Sequence, residues 1–333
     1  MPEEMKGQYK KIIERYINDR NELDLYAGQK FSRGFIESEV SPEEVIGIHK
    51  TVLMELLPDA SNKVWHSFDF LIEMMIHYGL TLQEHQSLIR KQEEMEMEMT
   101  IAAKVQDTLL KTKVPNFEGL DIGYLTVPAM QMSGDYIYFL SDDKNYASVA
   151  VADVIGKGIP AALCMSMIKF AMDNMQSENP CPRVVLDVVN RIVEERVDNS
   201  MFISMFYGRY SAEGSVFTYA SAGHEPALLY KASTGTFIEL DAEGLLLGVR
   251  PDVDYKEHDV VLEKGDFIAM MTDGVTETRT EDGFIDEGII KSFLESVKDE
   301  SAQSIVDAVY RKFGEMQNFQ LRDDFTIVIF KKQ

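Results

Sequence analysis

The sequence predicts an α+β fold that follows an all-α N-terminal region and a long linking helix. In residues 1–82, apolar side chains recur at the three- and four-residue spacing of helices. From Leu120 onward, short apolar segments with strand character come in runs that pairs of helices interrupt. Such runs are typical of α+β proteins rather than of the regular strand–helix alternation of α/β proteins. A chain of 333 residues is long enough for two or three domains.

Residues 1–82 are predicted to form a bundle of about four helices. Ser41 followed by Pro42 indicates a helix start, because the serine side chain can cap the helix and proline fits its first turn. Pro58 and the polar residues after it separate this helix from another periodic run that begins at Val64. Because a bundle of about 80 residues buries little apolar surface alone, we expect it to dimerise.

Residues 83–112 are predicted to be a linker helix, part of a helical pattern that extends over residues 79–111 and that Pro115 ends. A seam with near-heptad spacing predicts a weak coiled coil, because some of its members are polar. A solvated connecting helix explains the same pattern about equally well. The seam comprises Leu88, Gln92, Met95, Met99, Ala102, Gln106 and Leu109.

Residues 113–333 form the third predicted domain, in which the periodicity changes to that of strands. Strands are predicted at residues 120–127, 137–140, 147–152, 201–210, 216–220, 227–230, 237–240, 260–262, 267–272 and 325–330. Helices are predicted at residues 161–175, 184–197 and 302–316.

The composition excludes several classes of protein. An apolar fraction of 45% rules out a disordered chain, and no apolar run is long enough to span a membrane. The formal net charge of −23 makes nucleic acid and anionic membranes poor partners. With two cysteines and no apolar signal segment at the N-terminus, the predicted location is cytoplasmic.

Aspartates at the ends of apolar strands are the candidate catalytic and metal-binding residues. Asp153 and Asp273 each follow an apolar strand, Asp135 opens one, and Asp323 and Asp324 lead into the last one. Each alone also fits a turn or a helix cap. Together they predict a shared cation site, because clustered carboxylates repel one another and oxygen ligands suit Mg²⁺ or Mn²⁺. Two such ions can activate water and clamp a phosphoryl group.

Other phosphate chemistries lack their motifs. The sequence contains no Cys-x₅-Arg loop, no complete Walker loop and no Gly-x-Ser-x-Gly elbow. His224 lies in the turn-rich segment 221–226, where it fits either a structural role or a place near the site.

Residues 117–333 resemble the metal-dependent PPM-type serine/threonine phosphatases, in the bacterial branch similar to stage II sporulation protein E. Six segments carry this resemblance, in order: 132–136 (MSGDY), 153–163 (DVIGKGIPAAL), 201–204 (MFIS), 221–226 (SAGHEP), 272–275 (TDGV) and 323–326 (DDFT). The N-terminal segments 29–33 (QKFSR) and 68–73 (FDFLIE) are similar to those of phosphatases that positively regulate the general-stress sigma factor, sigma-B, in Bacillus-type bacteria.

The resemblance implies two antiparallel sheets flanked by helices, an αββα sandwich. It implies two Mn²⁺ or Mg²⁺ ions, bridged by Asp153 with help from the Val154 carbonyl. Asp135 and Asp273 would bind one ion each or through water, and Asp323 would complete the set, although Asp324 beside it is an alternative ligand. Asp153 and Asp273 are the residues expected to be catalytic.

The resemblance also implies a substrate, a partner and a mechanism. The substrate would be a phosphoserine on an anti-sigma-factor antagonist, hydrolysed by attack of metal-activated water. A kinase-like switch protein would activate the enzyme by docking on residues 1–82. Many relatives have histidine where this chain has Lys157, for which a solvent-facing or packing role is favoured over phosphate binding. The competing hypothesis is a catalytically inactive pseudophosphatase that serves as a partner-binding module.

Overall fold

The fold is seen in a computed structural model, which describes residues 3–20, 22–37, 40–142, 144–156, 158–175, 180–197, 201–280 and 283–333. The chain divides into two compact units, Met1–Met97 and Glu98–Gln333. The predicted boundaries at residues 82 and 112, and the roles given to the three segments, stay predictions. In the described residues, no helix is long and apolar enough to cross a membrane.

The first unit is helical, as predicted. Its helices are α1 (Glu3–Asp19), α2 (Glu22–Glu37), α3 (Pro42–Leu56) and the first part of α4 (Asn62–Leu110). The predicted cap of α3 is present, because the Glu44 N–H donates to Ser41 Oγ at 3.4 Å. The predicted periodic run from Val64 and the predicted helix over residues 79–111 form one helix, α4, since neither proline nor a capping residue separates them.

The second unit alternates runs of strands with pairs of helices. Its strands are β1 (Leu120–Val127), β2 (Asp135–Ser141), β3 (Tyr146–Val154), β4 (Ile203–Ser211), β5 (Val216–Ala222), β6 (Ala227–Lys231), β7 (Thr236–Leu240), β8 (His258–Val261), β9 (Phe267–Met271), β10 (Arg279–Thr280), β11 (Gly283–Phe284) and β12 (Phe325–Lys332). Its helices are α5 (Ile159–Met175), α6 (Pro182–Arg196), α7 (Asp273–Thr276), α8 (Glu287–Ser296) and α9 (Ala302–Met316).

Two antiparallel sheets of five strands each form the centre of this unit. One has the order β1-β12-β9-β6-β7 and the other the order β2-β3-β4-β5-β8. An apolar core of both sheets, which includes Val149, Phe206 and Phe330, lies between them. Helices α5 and α6 cover the outer face of the second sheet, and α8 and α9 cover that of the first. The predicted α+β fold of two antiparallel sheets flanked by helices is therefore confirmed.

Candidate functional site

Asp135 and Asp153 lie side by side on neighbouring strands. Asp135 is the first residue of β2 and Asp153 the last but one of β3, and the antiparallel register places them directly opposite each other. On the other side of Asp153, Ser204 of β4 occupies the opposing position. Because β2 and β3 are buried along almost their whole length, the sheet fixes the positions of these two aspartates.

Asp273 and Asp324 adjoin two paired strands of the other sheet. Asp273 begins α7 after β9, and Asp324 immediately precedes β12, the neighbour of β9. The N–H of Thr272 donates to the carbonyl of Thr326 at 3.1 Å. A Cβ added to Gly274 would lie 2.0 Å from the Asp324 carbonyl oxygen. Only glycine therefore allows the start of α7 to approach residues 323–324 this closely.

Side-chain hydrogen bonds join the segments that carry Asp135 and Asp153 to those that carry Asp273 and Asp324, across the sandwich. Thr272 Oγ1, at the end of β9, donates to Asp135 Oδ2 at 2.7 Å. The Asp324 carboxylate accepts main-chain hydrogen bonds from Ala129, at 2.7 Å, and from Gly134, at 2.5 Å. The structure thus brings Asp135, Asp153 and Asp324 together at one edge of the two sheets, with Asp273 beside Asp324.

Asp135 is in an environment that disfavours its charge. It is 4% exposed, and burial raises the pKa of its carboxyl well above the usual value. Hydrogen bonds from the hydroxyls of Thr326 and Thr272 lower this pKa, whereas the carboxylates of Asp153 and Asp324 raise it further. A divalent cation would relieve this repulsion, so the donor set fits a hard cation.

The main chain around Gly134 adds further oxygen atoms. A Cβ at Gly134 would lie 3.3 Å from the carbonyl oxygens of Val154 and Gly156 and 3.5 Å from Asp153 Oδ1. Absence of a side chain therefore keeps a cradle of oxygens open beside Asp153. In the parts of the chain that the structure describes, His, Cys, Asp and Glu side chains do not gather in a group of three or more at metal-ligand spacing. A cation held here would therefore need main-chain oxygens, such as those of Val154 and Gly156, in addition to carboxylates.

The structure separates the surroundings of Asp323 and Asp324. Asp324 is 5% exposed and both its carboxylate oxygens accept main-chain hydrogen bonds. Asp323 is exposed, and its Oδ1 accepts the N–H of Asp324 at 3.0 Å. Lys157, for which a solvent-facing or packing role is predicted, lies outside the described residues.

His224 lies beside the site and is linked to it through Ser204. Its Nδ1 is 2.7 Å from Ser204 Oγ, and Ser204 is opposite Asp153 in the sheet. Burial lowers the pKa of His224 to about 4, although the Met271 carbonyl raises it somewhat. The imidazole is therefore neutral near pH 7, and it joins the loop between β5 and β6 to Ser204 of β4.

Some residues at the site were not singled out from the sequence. Thr272 and Thr326 could have been found, because each adjoins a candidate aspartate within a matched motif. Glu225 is near Asp273, since the carboxylate of Asp273 reinforces the increase in the Glu225 pKa that burial causes. Gln106 was placed on the coiled-coil seam, but its side chain contacts the main chain of Ser133. No local pattern indicated this contact.

Comparisons with known proteins identify two matching families and several relatives. The family model of stage II sporulation protein E (SpoIIE) matches residues 143–333, and that of the N-terminal domain of the phosphoserine phosphatase RsbU matches residues 7–81. The chain is 51% identical to phosphoserine phosphatase RsbU of Bacillus subtilis (strain 168) over 331 residues, which cover 99% of this chain and 98% of that protein.

Two solved structures share the fold at low sequence identity. The SiaA-PP2C domain of Pseudomonas aeruginosa has a TM-score of 0.64 and 18% identity, with 73% of this chain and 99% of that chain covered. The PP2C phosphatase domain of SpoIIE from Bacillus subtilis, solved with a fragment of its regulatory domain, has a TM-score of 0.58 and 16% identity, with 64% of this chain and 62% of that chain covered. With a relative at 51% identity over almost its whole length, the chain belongs to the RsbU family of phosphoserine phosphatases, and its catalytic domain is of the SpoIIE type.

Proposed function

We propose that this phosphoserine phosphatase acts on an anti-sigma-factor antagonist with two Mn²⁺ or Mg²⁺ ions at the acidic edge of its sandwich. The main observation in support of the metal site is the direct pairing of Asp153 with the buried Asp135, whose carboxyl the charge of Asp153 disfavours in its ionised form. Asp153, the Val154 carbonyl, Asp135, Asp273 and Asp323 would hold the ions. When bound, the ions supply an activated water and neutralise the phosphoryl oxygens.

The contacts of the two neighbouring aspartates support Asp323 as the ligand. Both oxygens of Asp324 already accept N–H groups of residues 129 and 134. A carboxylate held in this way orients the loop before β2, whereas the exposed Asp323 is accessible to a cation. We therefore assign Asp324 to positioning the loop and Asp323 to the metal.

The chain's own residues determine how a phosphoserine would meet the site. The strands β2 and β3 hold Asp135 and Asp153 at a fixed spacing, and Gly274 lets Asp273 approach from the other sheet. These fixed groups would orient a bound phosphoserine, and positioning is a main requirement of phosphoryl transfer. The direct pairing of Asp135 with Asp153 also argues against the pseudophosphatase hypothesis, since a scaffold does not need adjacent carboxylates.

The substrate and the regulatory partner are supported by similarity along the whole chain. The match to RsbU includes its N-terminal domain as well as its catalytic domain. The proposed activator is a kinase-like switch protein that docks on residues 1–82, and the proposed setting is cytoplasmic control of a general-stress sigma factor. A homodimer is proposed because residues 1–82 form only a small helical bundle.

A substrate and partner comparison tests this proposal. In the presence of Mn²⁺, phosphate release would be measured from the phosphorylated antagonist and from a small phosphomonoester. Each assay would be run with and without the switch protein. Faster release from the antagonist, which increases with the switch protein, is expected. Equal rates for both substrates would contradict the proposed substrate. Rates that do not change when the switch protein is added would contradict the proposed activation.

A further inference from the structure

We propose that Gln106 is a positioning residue of the phosphatase, whose side-chain amide holds residues 133–135 in the geometry of the acidic site. This inference rests on the role proposed above for Asp135. Gln106 lies near the C-terminal end of α4, within the same compact unit as the sheets.

Both polar atoms of the Gln106 side chain form hydrogen bonds with the main chain of the same residue, Ser133. Nε2 donates to the Ser133 carbonyl at 2.7 Å, and Oε1 accepts the Ser133 N–H at 3.2 Å. Because the main chain has one fixed donor and one fixed acceptor, this pair of bonds also determines the orientation of the amide. The contact satisfies both main-chain groups of Ser133, as a neighbouring strand would.

The segment that Gln106 holds is hydrogen-bonded to Asp135, Asp324 and Val154. Ser133 Oγ accepts the N–H of Asp135 at 3.1 Å. The N–H of Gly134 donates to Asp324 at 2.5 Å, and the Gly134 carbonyl accepts the N–H of Val154 at 3.2 Å. A shift of Ser133 would therefore move Asp135 and disturb the main chain that faces Asp153 and Val154.

Gln106 is buried on a part of the helix where several apolar neighbours are exposed. Gln106 is 7% exposed, whereas Ile101, Val105 and Leu109 on the same segment are 57%, 51% and 50% exposed. A cavity of about 330 Å³ lies next to it, lined by residues that include Leu110, Tyr124 and Asp135. Leu110 packs against the apolar core, and the Gln106 amide adds a polar connection between this part of the helix and the loop before β2.

Substitutions of Gln106 distinguish the effect of its hydrogen bonds from the effect of its side-chain volume. Gln106→Met keeps the length and the helix-forming character of the side chain but removes both bonds. Gln106→Glu keeps an acceptor for the Ser133 N–H and loses the donor to the Ser133 carbonyl. Gln86→Met is the matched control, because Gln86 is an exposed glutamine of the same helix that is not a member of the predicted seam.

Three measurements on the full chain test the proposal. Hydrogen exchange of the Ser133 amide reports the bond directly, calorimetry with Mn²⁺ alone reports the affinity of the site, and kinetics with a phosphoserine protein give kcat and KM. Thermal unfolding shows that each variant is folded. If Gln106→Met does not fold, the Mn²⁺ affinity and kcat of Gln106→Glu are compared with those of wild type. A loss in Gln106→Glu then supports the positioning role, and wild-type values contradict it.

For Gln106→Met we expect faster exchange at Ser133, at least tenfold weaker Mn²⁺ binding and at least tenfold lower kcat with little change in KM. Gln106→Glu should retain protection at Ser133 and lose less Mn²⁺ affinity than Gln106→Met, and Gln86→Met should match wild type. Wild-type Mn²⁺ affinity and kcat in a folded Gln106→Met would overturn the positioning role, as would unchanged exchange at Ser133. A wild-type protein that releases no phosphate would overturn the proposed function, and the exchange and Mn²⁺ measurements would then decide on Gln106 separately.

Discussion

The two consecutive aspartates before β12 show how neighbouring residues of one type take different roles. Asp324 is buried and accepts two main-chain N–H groups, whereas Asp323 is exposed. A carboxylate that satisfies buried donors is costly to change, because those donors lose their partner. The sequence left the choice between these residues open, since both precede the same strand.

Asparagine substitutions test the assignment of Asp323 and Asp324. Asp323→Asn should weaken Mn²⁺ binding at least tenfold and leave the melting temperature of the metal-free protein nearly unchanged. Asp324→Asn should lower that melting temperature, because an amide cannot accept both N–H groups as well as a carboxylate does. Calorimetry with Mn²⁺ and thermal unfolding provide the two readouts. The reverse pattern would contradict the assignment.

His224 makes the stability of the protein depend on pH. Because its pKa is lowered from 6.5 to about 4, the unfolded chain binds a proton at this residue over a range where the folded protein does not. Its contribution to stability is therefore complete above about pH 6.5 and is lost as the pH falls toward 4. At about 1.4 kcal/mol per pKa unit, the loss is about 3 kcal/mol.

Chemical denaturation of wild type and of His224→Gln between pH 7 and pH 4 checks this effect. The variant should lose less unfolding free energy than wild type over this range. The control is His258→Gln, at an exposed position on β8, which should retain the wild-type pH profile. Parallel profiles for wild type and His224→Gln would contradict a buried neutral imidazole.

At the scale of elements, the close contact between α7 and the chain before β12 requires a glycine at position 274. A Cβ at this position would lie 2.0 Å from the Asp324 carbonyl oxygen, so one of the two segments must move. Gly274→Ala should therefore reduce the unfolding free energy by about 1–3 kcal/mol and lower phosphatase activity. In Gly47→Ala the Cβ meets nothing within 4 Å, and this helical substitution should be neutral or stabilising by up to about 1 kcal/mol. Equal stability of the two variants would contradict the contact.

Strands and helices differ in how well the sequence predicts them. The central strands β3 and β9 are buried on both faces and read as continuous apolar segments, and β1 and α9 have the predicted bounds. Helix α8 was missed, although its Asp286 cap, which accepts the N–H of Gly288, is a helix-start signal. The Gln106–Ser133 bond could not be predicted, because it joins a side chain to a main chain 27 residues away.

At the scale of the whole molecule, the N-terminal helices are proposed to control the phosphatase. Deletion of residues 1–82 keeps the compact unit Glu98–Gln333 intact. The shortened protein should lose activation by the kinase-like switch protein or change its basal rate, because the proposed docking site is removed. Phosphate release by both proteins, with and without the partner, checks this. An unchanged basal rate with full activation would contradict control through the N-terminal helices.

The convergence of acids from two sheets is the feature on which the whole account depends. Neither sheet alone supplies the site, since Asp135 and Asp153 belong to one sheet and Asp273 adjoins the other. The most direct test is Mn²⁺-dependent phosphate release from the phosphorylated antagonist by wild type, Asp153→Asn and Asp273→Asn, with circular dichroism to show that each is folded. We predict metal-dependent release by wild type and a loss of at least about 10²–10³-fold in either variant. Full activity of a folded variant with Mn²⁺ supplied would contradict the account.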